Sequence, residues 1–241
     1  MEFLSKVSKR NANLLATRQI TAAFLGDSVT HGCFETFMAG ENRIDSVFDY
    51  ENVYHARFAK LIHALFPAVP LNILNAGIGG DNAPSGLKRL ERDVLACSPD
   101  LVVVCYGLND VHRGAAQIGE YADAVTGIVQ RLKKEKIETI FMTPNMMNTA
   151  ISPHMSDGFL IEIAKKCAAM QNEGVLDAYI DRARSICGKE GVPVCDCYKK
   201  WKMLAHHGVN VTELLANHIN HPVREMHALF AQSLLDTVLM A

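Results

Sequence analysis

The sequence predicts an α/β fold with a mostly parallel, five-stranded sheet and helices on both of its faces. Three observations carry that expectation. Five short apolar runs punctuate the chain, and most are apolar throughout rather than alternating, as strands buried on both faces should be. Longer segments between them place apolar residues at helical spacing. Strand and helix patterns also alternate along the whole length, as βαβ units require.

Taken in order, a first helix is expected over about residues 2–17. The five runs follow as "ITAAFL" (20–25), "LNIL" (71–74), "LVVVCY" (101–106), "TIFMT" (139–143) and "VPVC" (192–195). Tyr54, Phe58, Leu61, Ile62 and Leu65 mark one helical stripe, which stops at Phe66-Pro67. Tyr121, Val125, Ile128, Val129 and Leu132 mark a second. Met226, Leu229, Phe230 and Leu234 mark a last helix, with Pro222 suited to its first turn. These stripes are core positions and carry no chemistry.

Bulk properties narrow the function. At 241 residues the chain suits a single domain over 1–241, with a substantial core. Hydrophobic residues at 49% and charged residues at 21% are ordinary for a soluble protein. A net charge of -2 argues against electrostatic capture of nucleic acid or anionic membrane. The densest charge run, "RLKKEK" from residue 131, reads as the polar end of a helix. The N-terminus lacks a signal-peptide pattern, and no run of ~18 apolar residues predicts a membrane span. Seven scattered cysteines are expected as reduced thiols, which points to the cytoplasm. Cys195-Asp196-Cys197 lacks a second ligand pair, so zinc is not expected there.

Ligands of open parallel sheets bind beyond the carboxyl ends of the strands, near the switch in strand order. After the first run comes "GDS" with Ser28; after the second, "NAGIGGDN" (75–82) with three glycines. After the third comes "GLND" with Asn109, and before the last helix "HINHP" with His221. These are the parts of an acyl-transfer site. A serine attacks a carbonyl once a base takes its proton, and histidine is the usual base near neutral pH. The resulting oxyanion needs aimed donors, which a glycine-rich turn and an asparagine amide supply. Such a base predicts that kcat/KM rises with pH through a group in the histidine range.

In this order "GDS", "GIGGD", "GLND" and a late "HP" resemble blocks I, II, III and V of the SGNH (GDSL-type) hydrolases, over residues about 20 to 235. The resemblance implies a flavodoxin-like three-layer α/β/α sandwich and an esterase, lipase, acyl thioesterase or carbohydrate O-deacetylase activity. It implies Ser28 as nucleophile and His221 as general base. It also implies an oxyanion hole of Ser28 N–H, Gly80 N–H and the Asn109 side chain, with no metal or organic cofactor. The expected activity is hydrolysis of short-chain, acetyl-type esters of a carbohydrate or small molecule.

One position departs from that pattern. The family's Asp three residues before the histidine is His218 here. Either a backbone carbonyl or an Asn side chain (Asn217 or Asn220) orients His221 in a Ser–His dyad, or a carboxylate reaches in from elsewhere. The departure also leaves room for a non-catalytic binder, and a lysophospholipase or thioesterase would share the chemistry.

Other readings are weaker. Ser28 alone would be a turn residue. "GIGGDN" is not G-x-G-x-x-G and has no ribose-binding acid behind it, which argues against a nucleotide. His206, His207, His218 and His221 fit no common zinc spacing. Asp27 is expected to hold its turn, Asp81 to brace the second block, and His31 to line the pocket or cap a helix. His112 and His227 receive no role. Two long loops, 34–50 and 144–158, are expected to select the substrate, with Met146, Met147 and Met155 as an adaptable apolar wall.

Overall fold

The computed structural model describes residues 2–41 and 43–240. Helix α1 (Phe3–Ala12) leads into strand β1 (Thr21–Gly26). It is shorter than the expected span of about residues 2–17, because the chain turns extended at Asn13. A one-turn helix α2 (Ser28–His31) follows, then a hairpin of β2 (Cys33–Gly40) and β3 (Arg43–Phe48). Next come α3 (Tyr54–Leu65), β4 (Asn72–Gly77), α4 (Ala83–Asp93), β5 (Leu101–Cys105), α5 (Ile118–Lys134) and β6 (Glu138–Met142). The chain continues through α6 (Gly158–Asn172), α7 (Val175–Glu190), β7 (Val194–Cys195), α8 (Cys197–His206) and α9 (Met226–Met240).

The main sheet has the order β4-β1-β5-β6-β7, and every pairing is parallel. Each expected apolar run became one of these strands. The sequences explain the order: Ala22 to Leu25 in β1 and Leu101 to Val104 in β5 are wholly buried, so both strands sit centrally. The short β7 lies at an edge, where Pro193 just before it costs no ladder bond. Helices α3 and α9 pack together on one face, with α1 against α9, while α4, α5 and α7 form the other layer. Phe24 of β1 meets Tyr54 and Phe58 of α3 edge-on, at 5.7 and 6.3 Å between centroids.

The strand order reverses at β1, which places the ends of β1, β4 and β5 around one crevice. Two glycines let the chain pass there. A Cβ on Gly26 would stand 2.2 Å from Thr30 Oγ1, and one on Gly77 would stand 2.2 Å from the His31 nitrogen.

Two expectations are corrected here. The segment 34–50 is not a loop but mostly the β2–β3 hairpin, a second, antiparallel sheet; Asn42 within it lies outside the described residues. Its apolar residues alternate with polar ones too irregularly to read as a strand pair. Pro222 is not in the first turn of α9, which begins at Met226; it bridges instead to Leu215. Among the described residues no helix is long and apolar enough to cross a membrane.

Candidate active site

Ser28 follows β1 by two residues and opens α2. Asp27 caps that turn, its Oδ1 accepting the Val29 N–H at 3.0 Å, as expected of it. As the first residue of a helix, Ser28 has an N–H with no intrahelical acceptor. Its Oγ lies 2.9 Å from His221 Nε2, although 193 positions separate the two residues.

His221 is 7% exposed, and its Nδ1 lies 2.9 Å from the carbonyl oxygen of Phe34. A carbonyl only accepts, so Nδ1 carries the proton and Nε2 is left to accept from Ser28. Burial pushes His221 down to about 4, with the Phe34 carbonyl opposing. The imidazole is therefore neutral at neutral pH, and the expected titration in the ordinary histidine range is displaced to lower pH.

The support for His221 is thus the backbone carbonyl of β2. His218 turns away: its backbone is left-handed at φ 54°, and its Nδ1 lies 3.8 Å from Glu213 Oε2. Asn217 acts on the main chain instead. Its Oδ1 accepts the N–H groups of Ile219, Asn220 and His221 at 2.9–3.0 Å, and its Nδ2 reaches Thr36 Oγ1 at 3.2 Å.

Gly80 and Asn109 line the same cavity as Ser28 and His221, a space of about 450 Å³. Gly80 adopts φ 76°, a left-handed backbone that glycine takes without a Cβ penalty. Asn109 Nδ2 donates to the Asp81 carbonyl at 2.9 Å, which fixes the amide plane and leaves its second N–H free to point elsewhere. Asp81 braces the loop as expected: Arg89 Nε and Tyr106 Oη donate to its Oδ2 at 2.7 and 2.9 Å. Arg89 also holds the Ala76 and Gly26 carbonyls, tying β4 to β1 beneath the site. Together these groups can deprotonate a hydroxyl and receive an oxyanion, the two requirements of acyl transfer.

A model of the GDSL-like lipase/acylhydrolase family matches residues 24–229. The chain belongs to this family. The GDSL-like chain is 29% identical over 130 residues to an acetylxylan esterase of Geobacillus stearothermophilus, a match that covers 50% of this chain and 58% of that protein. An acetyl-xylooligosaccharide esterase from the same organism superposes with a TM-score of 0.68 at 20% identity, covering 92% of this chain and 95% of the other. A two-domain esterase active on acetylated mannans superposes with a TM-score of 0.65 at 20% identity, covering 98% of this chain and 52% of the other. At such identities these structures establish the shared fold, the three-layer α/β arrangement described above.

Several features of this GDSL-like site were not legible in advance. Arg224 clamps the hairpin to the His221 loop: its Nε meets Asp49 at 2.8 Å and its two terminal nitrogens meet both Glu35 oxygens at 2.6 and 3.1 Å. The guanidinium also sits 4.4 Å over the Phe34 ring. The only available signal was Arg224 three residues past the histidine. His31 neither lines the cavity nor caps a helix; its Nδ1 accepts the Gly79 N–H at 3.2 Å and steadies the glycine turn. His227 accepts the Tyr54 N–H at 3.0 Å, and His112 stands in the cavity wall.

Met146 and Met147 are buried in the core and do not form the apolar wall. Leu160 and Ile163 of α6, with Ile44, Phe48 and Ile219, take that place. The four-histidine cluster does not assemble: among the described residues no group of three or more metal-type ligands comes together. All seven cysteines are free thiols.

Proposed function

We propose that the protein hydrolyses carboxylic esters, acetyl esters of a carbohydrate or small molecule above all, through an acyl-enzyme on Ser28. The 2.9 Å contact between Ser28 Oγ and His221 Nε2 carries this reading. His221 takes the hydroxyl proton as Oγ attacks the ester carbonyl. The oxyanion lies toward the Ser28 and Gly80 N–H groups and the Asn109 amide; removing one such donor typically costs ~2.7–4 kcal/mol of transition-state stabilisation. His221 then returns the proton to the departing alcohol. Water, deprotonated by the same Nε2, cleaves the acyl-enzyme and restores Ser28.

The carbonyl of Phe34 keeps the productive tautomer throughout. It supplies a dipole where a carboxylate would supply a full charge, so it favours the imidazolium less strongly. The carbohydrate reading is supported by the cavity wall, where Thr36, Asp45, Ser46 and Asn220 present groups suited to hydroxyls. It is supported too by relatives named for acetylated xylan and mannan.

The test is turnover of p-nitrophenyl esters from acetyl to decanoyl by the wild type and Ser28→Ala. Acetate turnover that vanishes in Ser28→Ala and declines with chain length is expected. Equal background rates for both proteins would remove the enzyme reading, and a preference for decanoate would point to a lipase or long-chain thioesterase.

A further inference from the structure

Beside the cavity, His31, Phe48 and Tyr50 form a three-ring cluster in which each ring meets the other two. His31 and Phe48 stand with centroids 4.8 Å apart; Phe48 and Tyr50 stand 6.0 Å apart and within 27° of parallel. Phe48 is 43% exposed and Tyr50 57% exposed. Phe48 lines the cavity that holds Ser28, whereas Tyr50 lies outside it, on the wall of a separate groove with His55, Ala56, Ala59, His63 and Ile73. Phe48 and Tyr50 therefore make a two-ring ridge that leads from the cavity wall to the surface beyond it.

Its rings are held in place. Asp49, between Phe48 and Tyr50, donates its N–H to the Gly32 carbonyl at 2.9 Å. Its carboxylate accepts from Arg224 at 2.8 Å and from Asn52 Nδ2 at 2.9 Å. His31, packed behind both rings, is fixed to the Gly79 N–H. Exposed aromatic faces on a pre-set backbone cost little entropy when a ligand covers them. A flat, electron-rich face attracts the partly positive C–H bonds on one side of a pyranose ring. Asp45, Ser46 and Thr36 flank Phe48 in the cavity wall and suit the hydroxyls at the ring's edge.

We propose that the exposed faces of Phe48 and Tyr50 are a stacking subsite for the saccharide leaving group, continuous with the cavity that holds the acyl group. The proposal rests on the carbohydrate ester reading given above. An ester whose alcohol has no ring, such as ethyl acetate, bypasses the subsite. An acetylated xylo-oligosaccharide engages it.

The experiment compares kcat/KM for these two substrates in the wild type, Tyr50→Ala, Tyr50→Phe and Phe48→Leu, with Tm measured for each. The oligosaccharide-to-ethyl-acetate ratio is expected to fall by about ten-fold in Tyr50→Ala and Phe48→Leu, mainly through KM. Tyr50→Phe, which keeps the ring, should hold the wild-type ratio. An unchanged ratio in Tyr50→Ala overturns the subsite while the carbohydrate reading stands. Wild-type turnover of ethyl acetate with none of the oligosaccharide overturns the carbohydrate reading and the subsite with it. If Tyr50→Ala changes the sedimentation coefficient and leaves the ratio alone, the ridge joins copies of the chain and the proposal fails.

Discussion

His221 Nδ1 lies 2.9 Å from the Phe34 carbonyl oxygen, so of the supports left open by the sequence it is a backbone carbonyl, on the hairpin, that takes the place of the family's carboxylate. The oxygen cannot be removed by side-chain mutation, but its position depends on what holds β2. Arg224 holds it, through Glu35 and Asp49. Arg224→Ala should lower kcat by about ten-fold or more with a smaller change in KM, since a misplacement of ~1 Å can cost 10²-fold. Wild-type kcat in this variant would show that the hairpin keeps its register without the clamp.

His218 should be dispensable for the chemistry. Its backbone is left-handed and its Nδ1 approaches Glu213, not His221. His218→Ala is expected to keep kcat/KM on p-nitrophenyl acetate within about three-fold, whereas Ser28→Ala should lose at least ~10³-fold. A loss in His218→Ala comparable to that of Ser28→Ala would place His218 in the proton relay.

The pH profile should be flat between about pH 5 and 8. Burial holds His221 near 4, so the proposed base stays neutral over that range, and kcat/KM should fall only below it. The same burial lowers His55 to about 4 and His227 to about 3. Their folded values lie below the ordinary 6.5, so acid favours protonation of the unfolded chain. Stability from these groups is present above about 6.5 and is lost as pH falls through 4. The acid limb is therefore read from initial rates that recover on return to neutral pH. A limb centred between 6 and 7 would assign the titration to another group.

Asp27 behaves oppositely. Burial raises its carboxyl to about 7, opposed by the Val29 N–H and reinforced by Asp110, which is itself raised to about 6, again chiefly by burial. The unfolded carboxyl ionises near 3.8, so stability from Asp27 is present below that value and lost as pH rises through 7. Asp27→Asn keeps an acceptor for Val29 and carries no charge to desolvate. Its Tm relative to wild type should rise by about 5 °C between pH 5 and pH 8. A difference independent of pH would mean that Asp27 ionises normally.

The chain order made much of this legible. The apolar runs around Phe24, Val103 and Phe141 are continuous because their strands are covered on both faces, and that property survives in a single sequence. Ser28, Gly80 and Asn109 were readable because each stands directly after a strand, where the sheet's geometry delivers it to one edge. The hairpin was not readable: its strands lie outside the main sheet, with β3 exposed or half-buried, so no strict alternation is enforced.

The sequence by itself determined the strands of the main sheet, the layering and the residue types that meet at the crevice, because burial imposes periodicity on neighbours in the chain. Tertiary structure alone decided what orients His221. Phe34 O and His221 Nδ1 are 187 residues apart, and a backbone carbonyl has no sequence signature. Tertiary structure likewise decided that Met146 and Met147 turn into the core while Leu160 and Ile163 face the cavity, since which side of a packed segment meets the void depends on every element around it.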